Sequence, residues 1–259
     1  MIVGELTVEF HTNINNMNIG IYGDSFAEYN SFGHNNQWPV ILGKKFADSN
    51  ITNYAISSSS VYYSYKQFLN NYHKHEINIF LVTNPYRYTK PIIETHSNKE
   101  ILFGNLGGVT DYKKQNIKNL SSIDKRILND LVGWFMASDE EFLSTASELM
   151  INQLLTLDSK VILFPCFEES LTDGQHKKYG IPKEHVMHNY VKRIITLLNI
   201  TPEFNTWTTE VSSTMAQHLT PEFNEFVAEV MYKKITTGIW DFSNFENIKL
   251  EHPREYYYK

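Results

Sequence analysis

At 259 residues, 42% of them hydrophobic, the chain is long enough to bury the core of one sizeable domain and is not compositionally disordered. Its formal net charge of −6 excludes the basic stripe of a general nucleic-acid binder, and no run approaches the ~20 apolar residues of a membrane span. Cys166 is the only cysteine, so no intrachain disulfide forms, and Met1–Glu5 lacks the basic start of a secretory signal. A cytoplasmic protein, or part of a particle assembled in the cytoplasm, is expected.

In chain order, the first predicted element is a strand over Asn18–Tyr22, closed by the turn Gly23-Asp24-Ser25-Phe26, in which glycine relieves the bend. Trp38-Pro39 then starts a helix and packs its apolar side. A second strand, Ile51–Tyr54, is followed by the small residues Ser57-Ser58-Ser59-Ser60. Val61, Tyr65, Phe68 and Tyr72 share one helical face, and Ile77–Val82 is a third strand. Residues 86–137 break this rhythm and carry Gly104-Asn105-Leu106-Gly107-Gly108; they read as an insertion over the strand ends, either lid or decoration. Ser138-Asp139-Glu140-Glu141 has capping-box form, opening a helix with Phe142, Ala146, Leu149, Met150 and Leu157 inward. Lys160–Phe164 is a fourth strand, and a weaker fifth lies within Ile200–Thr206. Thr220-Pro221 reads as N-cap and first turn of a last helix burying Phe223, Val227, Val230 and Met231. Alternation of this kind predicts one α/β domain over 1–259, a parallel sheet of about five strands between two helical layers. Its strand-end loops gather on one edge.

Four places on that edge carry the parts of acyl-transfer chemistry. Ser25 is a hydroxyl at a strand end and His218 a distant base. Ser58 has a backbone N–H free to approach a ligand, and Asn84 a side-chain amide donor. Asp24 reads first as a bonding partner of nearby backbone N–H groups rather than as an acid. Arg87 suits an anionic substrate or a surface ion pair. His73-Lys74-His75 and His185-Val186-Met187-His188 have ligand-like spacings without a third ligand nearby, so no metal is expected.

Taken together, the blocks Gly23-Asp24-Ser25, Asn53-Tyr54-Ala55-Ile56-Ser57-Ser58, Val82-Thr83-Asn84-Pro85 and Met215-Ala216-Gln217-His218 resemble those of the SGNH (GDSL-like) hydrolases, in the same order. The likeness covers most of the chain outside 86–137. It implies a flavodoxin-like αβα sandwich and an esterase that needs no cofactor. Ser25 would be the nucleophile, His218 the base, and Ser58 and Asn84 the oxyanion donors. The substrate would be a small-molecule or glycan ester, such as an O-acetyl carbohydrate. The chain departs from the family pattern at Ala55 and Ser58, where glycines are usual, and at Val82 and Pro85. It departs most at Met215, which stands where the family has the aspartate that orients the histidine. Losing that acid costs on the order of four decades of turnover in unrelated triads. A Ser–His dyad held by a backbone carbonyl, or Glu210 serving from a nearby loop, would replace it. Met215 also motivates a rival reading, a binding module for a glycan or other small ligand with little turnover. The 14% aromatic content and the Tyr256-Tyr257-Tyr258 end leave an oligomer or particle subunit as a third.

Overall fold

A computed structural model of the protein describes residues 17–28, 37–46, 49–56, 59–86, 92–94, 99–101, 140–158, 160–198 and 219–251. Strands β1 (Asn18–Tyr22), β3 (Ile77–Val82) and, further along, β6 (Val161–Pro165) are short, mostly apolar runs, while β2 (Asn50–Asn53) is a partly exposed strand, Asn-Ile-Thr-Asn. They form a four-stranded sheet in the order β2-β1-β3-β6, with every pairing parallel. Ile19 pairs with Ile51 and Ile77, and Phe80 with Leu163. The expected fifth strand within Ile200–Thr206 lies outside the described residues. Within 86–137, β4 (Ile92–Glu94) and β5 (Lys99–Ile101) pair antiparallel as a separate two-stranded sheet.

Alternation along the strands sends side chains to two cores. Ile19, Ile21, Ile77, Ile79, Leu81, Ile162 and Phe164 face one side. Tyr22, Phe80, Val82 and Leu163 face the other. Helices cover both faces, as a parallel sheet with two apolar faces requires. The first side is covered by α1 (Trp38–Lys45), α5 (Met187–Leu197) and α6 (Pro221–Thr237), through Trp38, Leu42, Tyr190, Ile194, Phe223 and Val227. The second is covered by α2 (Val61–Asn71) and α3 (Glu140–Leu157), through Val61, Tyr65, Phe68, Ile151 and Leu154. The short helix α4 (Asp173–Tyr179) is capped by Thr172 and Gln175 at its start and by Gly180, at φ +66°, at its end. The result is the expected three-layer αβα sandwich. Among the described residues no helix is long and apolar enough to cross a membrane.

The inward face of α3 differs from the sequence reading. Phe142 is 66% exposed and Leu149 65%, while Ser147, Ile151 and Leu154 are buried. The helix carries apolar residues around most of its circumference, so periodicity alone does not choose a stripe. Packing on α2 and the sheet chooses the row at i, i+4 and i+7 from Ser147.

The segment after α6 closes over the first core. Trp240 and Phe242 lie against Phe164, with ring centroids 5.4 and 6.5 Å away. His185 stacks on Phe242 at 4.0 Å and meets Phe245 edge-on at 5.1 Å. Burial pushes the His185 pKa below its usual 6.5, opposed by the Glu184 and Glu246 carboxylates. The unfolded chain therefore binds more protons than the folded one, and stability is lost as pH falls through about 6.5 toward the folded value. Calorimetric melting should show this acid loss, and His185→Phe, which keeps the stack without the titrating nitrogen, should lose less stability between pH 7.5 and 5.5.

Candidate active site at the carboxyl edge of the sheet

Strand order turns back between β1 and β3. The chain leaves β1 for β2 on one side and then returns to add β3 on the other. This is the switch point at which open parallel sheets form a crevice outside their carboxyl ends. The turn after β1 occupies it.

Gly23 is required there by contact. A Cβ at this position would stand 2.6 Å from Leu81 Cβ on the neighbouring β3. The expected backbone reason does not apply, because the positive-φ glycines among the described residues are Gly180 and Gly238. Leu81 Cβ cannot swing away without moving β3, so Gly23→Ala is expected to destabilise the protein by about 1–3 kcal/mol in urea unfolding.

Asp24 is fully buried and organises three loops. Its Oδ1 accepts from the Phe26 backbone N–H at 3.1 Å and from the Cys166 thiol at 3.7 Å. Its Oδ2 accepts from the Thr83 hydroxyl at 2.7 Å. Thr83 directly follows β3 and Cys166 directly follows β6, whose Cys166 N–H also donates to Val82 O at 2.8 Å. One carboxylate thus joins the ends of β1, β3 and β6. The sequence analysis assigns neither Thr83 nor Cys166 a place in the site; each stands first after its strand, which is the signal that could have found them.

The β2 loop reaches the same turn. The Ile56 backbone N–H donates to Gly23 O at 3.1 Å, and the Ser59 hydroxyl donates to the same oxygen at 2.8 Å. Asn53 Nδ2 donates to Ala27 O while its Oδ1 accepts from Ala55 N–H at 2.9 Å. These bonds flank Ser57 and Ser58, which lie outside the described residues, as do Arg87, Glu210, Met215 and His218.

Two helix starts hold the turn from behind. Trp38 is buried, so it packs rather than faces substrate, and its Nε1 donates to Phe26 O at 2.7 Å. The Trp38 backbone N–H donates to Asn224 Oδ1 at 3.0 Å. Asn224 Nδ2 in turn donates to Leu219 O and Thr220 O, each at 3.0 Å.

Ser25 is half-buried, and its hydroxyl takes part in no hydrogen bond among the described residues. Asn84, also half-buried, accepts from the Tyr86 backbone N–H at 2.8 Å through Oδ1 and donates to Glu169 Oε1 at 2.7 Å through Nδ2. Glu169 escaped the sequence reading, since nothing local links it to a residue 85 positions earlier. Phe167, on the same loop, meets Phe26 at 5.9 Å and His188 at 5.4 Å between ring centroids. Among the described residues no group of three His, Cys, Asp or Glu side chains is arranged to hold a metal.

The fold and this turn define an α/β protein of flavodoxin-like strand order with a serine at the switch point of its sheet. The chain is similar to the crystal structure of a lipase/acylhydrolase from Enterococcus faecalis, at 12% identity and a TM-score of 0.40, covering 85% of this chain and 95% of that one. It is also similar to a member of the lipolytic protein G-D-S-L family from Veillonella parvula DSM 2008, at 14% identity and a TM-score of 0.36, covering 85% and 97%. No family model matches the chain, and no curated protein matches it in sequence.

Proposed function

We propose that the protein is a serine esterase that hydrolyses a small O-acyl ester, with an O-acetyl carbohydrate as the first substrate to test. Ser25 Oγ attacks the ester carbonyl carbon while His218 takes the hydroxyl proton. The oxyanion is held by the backbone N–H groups of Ser25 and Ser58 and by Asn84 Nδ2. Collapse expels the alcohol, which leaves with the proton from His218. Water, deprotonated by His218, then attacks the acyl-serine, releasing the acid and restoring the Ser25 hydroxyl. No cofactor takes part. With Met215 in place of the acid, the imidazole is oriented by a backbone carbonyl.

One observation carries this reading: among the described residues, the loops after β2, β3 and β6 are each bonded to the turn that bears Ser25, while the serine is half-buried and its hydroxyl takes part in no hydrogen bond. Support for His218 as the base comes from its neighbour. Leu219 is buried in the same core cluster as Phe26, and the bonds from Leu219 O through Asn224 and Trp38 end at Phe26 O. Leu219, which follows His218 in the chain, is thus tied to the residue beside Ser25.

A fluorophosphonate probe with intact-mass readout tests the proposal. Wild-type protein is expected to gain one adduct, mapped to the peptide containing Ser25, and Ser25→Ala to gain none. Absence of an adduct on wild type would count against the esterase. Glycan binding without hydrolysis would then favour the binding module.

A further inference from the structure

The Asn84 amide is held at both ends. Its oxygen accepts from Tyr86 N–H within a local turn, and its nitrogen donates to a carboxylate on the loop after β6. An Asn side chain has two N–H donors and a soft terminal torsion, so one bond to the oxygen leaves the direction of the nitrogen loosely set. The second bond, to Glu169 Oε1, sets the plane and leaves one Nδ2 proton with a defined direction.

The loop that supplies Glu169 is itself anchored. Phe167 N–H donates to Ser170 Oγ at 2.9 Å and Ser170 N–H to Phe167 O at 3.1 Å, closing the single turn Glu168–Ser170. Cys166 is tied to Asp24 and Val82, and the Phe167 ring rests on Phe26. The adjacent Glu168 is engaged elsewhere, with Lys192 Nζ at 3.1 Å. Glu169 therefore extends from a segment braced against the Ser25 turn and reaches the amide at the end of the next strand.

We propose that Glu169 is a positioning residue for the oxyanion site: by holding one Nδ2–H of Asn84, it presents the other to the carbonyl oxygen of an ester at Ser25. Donors aimed before the charge develops are worth most in the transition state, so the effect falls on kcat. The inference rests on the esterase reading.

Steady-state hydrolysis of a short-chain p-nitrophenyl ester by wild type, Asn84→Ala, Glu169→Ala, Glu169→Gln and the double alanine variant tests it. Asn84→Ala is expected to lower kcat by about 100-fold. Glu169→Ala is expected to lower kcat by about five- to tenfold with KM within about twofold, the size of one ordinary net hydrogen bond. Glu169→Gln, whose amide oxygen still accepts, is expected to return kcat to within about twofold of wild type. In the Asn84→Ala background, Glu169→Ala should cost nothing further. Glu169 is exposed and Asn84 half-buried, and melting curves check that each variant folds. Wild-type kcat in Glu169→Ala, no rescue by glutamine, or full additivity in the double variant would each overturn the proposal while leaving the esterase intact. Undiminished kcat in Asn84→Ala removes the amide from the site and Glu169 with it. A wild type that turns over no ester overturns the esterase reading and this inference together.

Discussion

Ser25→Ala is expected to lower kcat/KM for a short acyl ester by about 1,000-fold or more while leaving the folded protein unchanged. In the proposed mechanism the loss is large because the hydroxyl would form the covalent bond, and oxyanion donors and ester binding are all that would remain without it. It is not the full loss of a complete triad, since a dyad without its acid starts from a lower rate. Stability should move by no more than about 0.5 kcal/mol, because the Ser25 hydroxyl supports no hydrogen bond among the described residues. His218→Ala should lose activity to a similar degree, and adding it to Ser25→Ala should cost little more, as residues acting in one step are not additive. Ester hydrolysis and urea unfolding on the same preparations check both halves. A Ser25→Ala variant retaining most of its activity would place the chemistry elsewhere.

Asp24→Ala is expected to destabilise the protein by about 3 kcal/mol in urea unfolding. The substitution strips the acceptor from the Phe26 backbone N–H, the Thr83 hydroxyl and the Cys166 thiol in a site that water does not reach. The ends of β1, β3 and β6 would lose their shared partner at once. Asp24→Asn should cost only about 1 kcal/mol, because its oxygen can still serve Phe26 and Cys166 while its nitrogen donates to a Thr83 hydroxyl turned to accept. The pair also separates two roles for this carboxylate. A bracing residue predicts that Asp24→Asn keeps most of its esterase activity. Lost activity with retained stability would instead make Asp24 a participant in proton transfer.

The strands show how much of this architecture is written locally. β1 and β3 coincide with their sequence limits, and β2 and β6 begin one residue away from theirs. Each is a short β-branched or aromatic run between polar residues, and strand propensity needs no more than that. The start of α6 was equally legible, since Pro221 suits only a first turn. The α3 face was not, because a helix apolar on several sides leaves the choice to its neighbours.

The site divides in the same way. The serine and asparagine proposed for it, and the turn after β1, lie in short blocks of sequence whose residue types and order along the chain are enough to nominate them. The brace beneath them does not. Thr83 lies 59 positions from Asp24, Cys166 lies 142 from it, and Glu169 lies 85 from Asn84. Such partners meet because parallel strands lie side by side with their carboxyl ends level, a relation that emerges once the sheet has formed its order. Gly23 states the point in a single residue. Read along the chain it is a turn former, but in the folded sheet it is the gap that lets Leu81 and the serine turn lie together.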